Sequence, residues 1–158
     1  MTHRIVVGVD GSEHGNAALR WAGEEAKVHN GEIVAVFAWQ LPFVGIPGAF
    51  DRQEMEQTCK AFLAGAVDAV FPVPEVPISE FVAEGDVSAS LIEASRGADM
   101  LVLGSRGRGG FAGLKLGSVS QECVQHATCP VVIIKGARDS GGDVLSRPPP
   151  DGTTSVPA

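Results

Sequence analysis

Residues 104–121, GSRGRGGFAGLKLGSVSQ, bring together closely spaced glycines and the cations Arg106, Arg108 and Lys115, with no acidic residue among them. Glycines 104, 107, 109, 110 and 113 allow a backbone with positive φ to come close to a bulky ligand, where any side chain would obstruct it. Gly117, Ser118, Val119 and Ser120 then open a helix-like segment, and the unpaired N–H groups and dipole of a helix start favour an anion. Ser118 and Ser120 add hydroxyl donors. A phosphate chain satisfies all of these features together. The chain as a whole carries a formal net charge of −7, so an anion must be held locally. A nucleic-acid surface would need Lys and Arg clustered over a broad face, which this balance does not provide.

Two other phosphate motifs fail. GxxxxGK[ST] is absent, and with it the P-loop lysine and its magnesium chemistry. Gly107, Gly109 and Ala112 fit G-x-G-x-x-G/A loosely, but the loop runs on to Gly117 and follows the fourth strand instead of opening a βαβ unit. Cys123, His126 and Cys129 form C-x2-H-x2-C without a fourth ligand, with Cys129 beyond the expected helix end. They are read as buried thiols and a surface histidine, and no metal site is assigned. His3, His14, His29 and His126 are scattered, and no nucleophile–base pair is evident. No catalytic residue is assigned.

The elements that must position the glycine loop follow from hydrophobic patterning. Five β-rich runs, at 4–9, 32–39, 78–83, 100–104 and 130–135, alternate with helical segments. Three runs are almost continuously apolar, as strands covered on both faces are; ISEFVA at 78–83 alternates more and suits an edge. The first helix follows Ser12 and runs to about His29, with Ala18, Leu19, Ala22 and Ala26 on one face and Asn30-Gly31 as its stop. The second spans Asp51 to Val70 with Met55, Cys59, Phe62 and Ala66 as its buried stripe. Asp86 caps a third that continues through Leu91, Ile92 and Ala94 to Gly97. The fourth begins near Gly117 and carries Val119, Cys123, Val124 and Ala127. Such alternation implies a parallel sheet with right-handed crossovers and helices on both faces. In an open parallel sheet ligands bind beyond the carboxyl ends of the strands, where strand order reverses. Asp10-Gly11-Ser12 leaves the first strand and the glycine loop leaves the fourth, so adjacency of those strands would place both at one crevice.

With 158 residues and 44% hydrophobic content, the chain is expected to form a single domain over 1–136. No run reaches the roughly 20 apolar residues of a membrane span. The amino terminus lacks the apolar length and small-residue cleavage site of a signal peptide, and three cysteines are an odd number for a disulfide framework. A cytoplasmic location is expected, with no membrane partner. Residues 40–50, QLPFVGIPGAF, form a loop that either lies over a site or packs on the surface. Residues 137–158 have almost no apolar periodicity and are expected to form a flexible tail.

The spacing Gly104-x2-Gly107-x9-Gly117-Ser118 resembles the nucleotide signature of the universal stress protein family, G-2x-G-9x-G-[ST]. The likeness extends to RIVVGVDGS, to EGDVSASLIEASRGADMLVLGSRGRGG and to GSVSQECVQHATCPVVIIK, and so covers about residues 3–136. It implies a doubly wound, five-stranded parallel sheet of order 3-2-1-4-5, like that of the adenine nucleotide alpha hydrolases. It further implies an ATP-binding branch, Mg2+ accompanying the triphosphate, and homodimers paired through the last strand, 131–135. Carried over by position, Val9, Asp10, Gly11 and Ser12 lie at the nucleotide, with Asp10 facing the nucleoside. The Ala38 backbone meets the adenine edge, Gly104, Arg106 and Gly107 follow the ribose and phosphates, and Gly117, Ser118, Val119 and Ser120 hold the phosphates. Asp10 has an alternative reading as a plain turn residue. The implied function is a nucleotide-dependent stress-response regulator with slow or no ATP hydrolysis. The alternatives are a sensor of AMP or cyclic AMP, and a scaffold whose glycine loop takes an acidic segment of a protein partner.

Overall fold

A computed structural model of the chain describes residues 2–40, 51–108 and 116–136. The 41–50 part of the proline-containing loop, Gly109, Gly110, Gly113 and Lys115 of the glycine loop, and the 137–158 tail lie outside the described residues. Five strands and four helices alternate: β1 Arg4–Gly8, α1 Glu13–Val28, β2 Glu32–Trp39, α2 Arg52–Val70, β3 Ile78–Glu84, α3 Val87–Ala94, β4 Met100–Gly104, α4 Ser118–His126 and β5 Val131–Ile134. The strands form one sheet of order β3-β2-β1-β4-β5, and every pair is parallel. This is the doubly wound fold expected from the sequence, with β3 and β5 at the edges.

Alternation along the central strands explains the two-sided core, because successive side chains point to opposite faces. Ile5, Val7, Ile33, Ala35 and Val102 face α1 and α2 and pack on Ala18, Leu19, Ala22, Ala26, Leu63 and Val67. Val6, Val36, Leu101 and Leu103 face the other way, onto Leu91 of α3 and Cys123 of α4. All four α1 residues read as its apolar face are fully buried. Burial pushes the Cys123 thiol up to about 11, helped by Glu122 and Asp86 nearby, which makes it a core residue and a poor nucleophile. His126 is exposed and Cys129 half-buried.

Three expectations need correcting. The buried stripe of α2 is Cys59, Leu63 and Val67, whereas Met55, Phe62 and Ala66 are only half-buried; the helix is turned so that Phe62 leans toward the β1–α1 loop. Val124 of α4 is 51% exposed, because α4 lies at the edge of the sheet and is covered on one side only. α3 ends at Ala94 instead of Gly97; Gly97, at φ +73, belongs to the turn that enters β4.

Caps fix where the loops leave the sheet. Asp51 accepts from the N–H groups of Gln53 and Glu54, and Asp86 accepts from Ala89 N–H and Ser88 Oγ; these bonds hold the Asp86 carboxyl below its usual range. Arg52 Nε donates to Glu84 Oε2 at 2.7 Å and ties the start of α2 to the end of β3. Among the described residues, no helix is long and apolar enough to cross a membrane.

Candidate functional site

β1 and β4 are neighbours, with Val7 paired to Val102, although β1 leads to β2 on its other side. Strand order therefore reverses between them, and a ligand crevice is expected at their carboxyl ends. A cavity of about 550 Å³ opens there. Its apolar lining is formed by Phe37 and Ala38 of β2, Leu103 of β4, and Val87 and Leu91 of α3, and its polar lining by Asp10, Arg106, Gly107 and the first turn of α4.

Asp10 divides its two oxygens. Oδ1 accepts from Ser12 N–H at 2.9 Å and from Ser12 Oγ at 2.6 Å, and Ser12 Oγ in turn accepts from Gly15 N–H and caps α1. That is the turn role. Oδ2 faces the glycine loop: a Cβ on Gly107 would lie 2.8 Å from it. Since Asp10 also borders the cavity, the same carboxylate builds the turn with one oxygen and presents the other to the loop.

The signature glycines do different work. Gly104 lies against the first turn of α1, where a Cβ would sit 2.7 Å from the His14 carbonyl carbon and 2.9 Å from Gly15 N, so β4 and α1 can meet this closely only without a side chain. Gly117 is different. It is the N-cap of α4 in an ordinary extended conformation, φ −70° and ψ 159°, and it makes no side-chain cap bond. A Cβ there would meet Ser105 O, Arg106 Cα and Gly107 N at 3.6–3.9 Å, ordinary contact distances. Among the described residues, neither backbone nor packing requires glycine at a position where Ser, Asp or Asn caps best.

The loop is tied down at both ends of the crevice. Gly117 N–H donates to Ser105 O at 2.8 Å, and Ser105 N–H donates to Ile134 O at 2.8 Å. Ser120 Oγ donates to Gly104 O at 2.8 Å, which engages its proton inside the fold. The N–H groups of Ser118, Val119 and Ser120, the first residues of α4, precede the intrahelical ladder, which begins with Gln121 N–H to Gly117 O at 3.0 Å. Ser118, Val119 and Ser120 border the cavity, and their N–H groups have no backbone partner among the described residues, as at a helix start that can receive an anion.

Of the residues singled out in the sequence, Val9, Asp10, Ala38, Gly104, Arg106, Gly107, Gly117, Ser118, Val119 and Ser120 border the cavity. Gly11 and Ser12 lie beside it: Gly11, at φ +75, lies under the tip of the Phe62 ring, and Ser12 caps α1. Gly8, Phe37, Val87, Leu91 and Leu103 also line it and escaped the sequence reading, because as strand and helix residues they carry only an apolar signal. Arg108, seen there only as one of three loop cations, borders it too, with its guanidinium carbon 5.4 Å from the centroid of the Phe62 ring.

Comparison with known proteins agrees with this architecture. The model of the universal stress protein family matches residues 1–135. Universal stress protein Rv2005c of Mycobacterium tuberculosis is 35% identical over 135 residues, which make up 83% of this chain and 45% of that protein; the chain thus spans about half the length of the curated relatives it matches. Among solved structures, the hypothetical protein MJ0577 superposes with a TM-score of 0.75 at 16% identity, covering 87% of this chain and 99% of the other. A universal stress protein in complex with cAMP superposes at 0.62 with 24% identity, covering 86% and 98%. The chain belongs to the universal stress protein family.

Proposed function

We propose that this chain is an ATP-binding regulator of the stress response, cytoplasmic and homodimeric through 131–135, with slow or no hydrolysis. The observation that carries the reading is Gly117. An N-cap glycine that packing among the described residues does not require, beside Arg106 and three N–H groups that have no partner among those residues, leaves space for a ligand, and the dipole of α4 favours an anion there. The apolar lining of Phe37, Ala38, Val87 and Leu91 suits a flat base. Asp10 borders the same cavity, and its Oδ2 can accept from a ribose hydroxyl. The site thus fits a nucleotide, with its base among Phe37, Ala38 and Leu91 and its phosphates on Ser118, Val119 and Ser120. Mg2+ bound to the phosphate oxygens would offset their charge; among the described residues no group of three His, Cys, Asp or Glu side chains is placed to hold a metal, so the phosphates themselves would supply its anchor. Among the described residues no nucleophile–base pair stands near the α4 start, which favours regulation by occupancy over turnover.

AMP or cyclic AMP is the second reading. It is favoured by the single short helix start, which a lone phosphate fills, and by the structural neighbour described in complex with cAMP. Acid extraction of the purified protein with identification of any co-purified nucleotide, followed by titration calorimetry with ATP, AMP and cyclic AMP, separates the two. Tightest binding to ATP supports the proposal; preference for AMP or cyclic AMP supports the second reading, and absence of all binding overturns both.

A further inference from the structure

The two arginines of the glycine loop do not share a task. Arg106 stands at the phosphate end, its Cα 3.7 Å from where a Gly117 Cβ would be. Arg108, two residues on, lies against α2 instead, its guanidinium over the face of Phe62. Phe62 is itself fixed. Its ring packs against Phe37 with centroids 4.9 Å apart and planes tilted by 51°, its tip fills the space left by Gly11, and the next residue, Leu63, is fully buried. Phe37 and Arg108 both border the cavity.

A guanidinium is planar, weakly hydrated, and stacks on aromatic faces. With one face on Phe62, the other can take a second flat π-system. We propose that Arg108 is a base-stacking residue, covering one face of the adenine beside Phe37, and that Phe62 is the positioning residue that holds it there. This rests on the reading of the cavity as a nucleotide site and deepens it: the charge contributed by Arg108 serves the base, and the phosphates are left to Arg106 and the α4 N–H groups. Immobilising a long side chain before the ligand arrives also removes part of the ordering cost of binding.

The test is the dependence of affinity on phosphate number, measured by calorimetry with adenosine, AMP and ATP. Arg108→Gln should weaken all three by the same factor, about two- to five-fold for an exposed stacking cation, and should leave the salt dependence of ATP binding unchanged. Arg106→Gln should do the opposite, sparing adenosine and weakening ATP most. Phe62→Leu, which keeps an apolar side chain of similar reach, should reproduce the Arg108→Gln pattern, and the double variant should lose little more than either single one, since the two act as a unit. A loss in Arg108→Gln that is absent for adenosine and grows from AMP to ATP overturns the assignment, and so does tighter ATP binding by Phe62→Leu. Unmodified protein that binds none of the three removes the nucleotide site and this role with it; binding that survives with a phosphate-graded Arg108 effect removes only this role.

Discussion

The Ser120 hydroxyl donates to the carbonyl of Gly104 at 2.8 Å, across sixteen positions of sequence. It joins the first turn of α4 to the last residue of β4, so the helix start and the strand end that frame the cavity are held at a fixed separation whatever the intervening loop does. Ser120→Ala would leave that carbonyl short of a partner at a position only 5% exposed. We expect a loss of about 1–3 kcal/mol of stability in urea denaturation, together with weaker ATP binding. Unchanged stability would mean that water replaces the bond at no cost.

Gly117→Asp should move stability and binding in opposite directions. The ordinary φ and ψ at this N-cap and the open space around it allow an aspartate, which caps a helix a few tenths of a kcal/mol better than glycine. Its charge would stand where the phosphates are expected. The variant should melt at or slightly above the temperature of the unmodified protein, yet bind ATP at least tenfold less well, a factor worth about 1.4 kcal/mol. Ser118→Ala, at an exposed position, should leave stability unchanged and cost about 0.5–1.5 kcal/mol in binding, the worth of one hydrogen bond. Full ATP affinity in a well-folded Gly117→Asp protein would place the nucleotide elsewhere.

The strands and helices and the polar half of the cavity were legible because they are written locally, whereas the strand order came only with the family resemblance. MLVLG, ending in Gly104, and Gly117-Ser118 before an apolar period each mark an element end within a few residues. The apolar half was not. Phe37, Leu91 and Leu103 read as ordinary core positions, and only the register of β2, β1 and β4 brings their ends to one edge of the sheet. Phe62 was read as part of a buried stripe because helical spacing gives a period and not an absolute rotation. Its half-buried position beneath Arg108 depends on Gly11 having no side chain, a long-range condition invisible to a window of sequence. Asp10 could be read either as a turn residue or as a ligand contact, since the same sequence supports both; the structure gives one oxygen to the turn and turns the other toward Gly107.

A chain ending at Gly136 should fold and bind as the full chain does. Among the described residues, the packing contact nearest the carboxyl terminus is that of Gly136, whose Cα lies so close to His14 that a Cβ would come within 2.7 Å of the ring, and Ile134 O still receives Ser105 N–H. Ordering each further residue costs roughly 1–2 kcal/mol of backbone entropy, and the 137–158 sequence offers few apolar side chains to offset it. Cooperative urea unfolding with an unchanged midpoint, and ATP affinity within twofold of the full chain, are expected. A broadened transition or a tenfold loss of affinity would assign the tail a structural part.

Dimerisation through β5 can be tested at a position that leaves the monomer intact. Pro130 O accepts from Leu101 N–H and Ile134 O accepts from Ser105 N–H, so by the two-residue period of a strand Val132 also turns its backbone toward β4, while Val131 and Ile133 turn theirs outward. All four β5 residues are half-buried, and an apolar edge strand whose outward donors find no partner among the described residues invites pairing with another strand. Proline at Val132 or Ile134 would break the ladder to β4 and confuse unfolding with dissociation. Ile133→Pro removes an outward donor only, which an edge strand tolerates. Light scattering should find the unmodified protein dimeric at micromolar concentration and the Ile133→Pro protein largely monomeric, with circular dichroism unchanged. A monomeric unmodified protein, or a proline variant that stays fully dimeric while folded, would remove β5 as the interface.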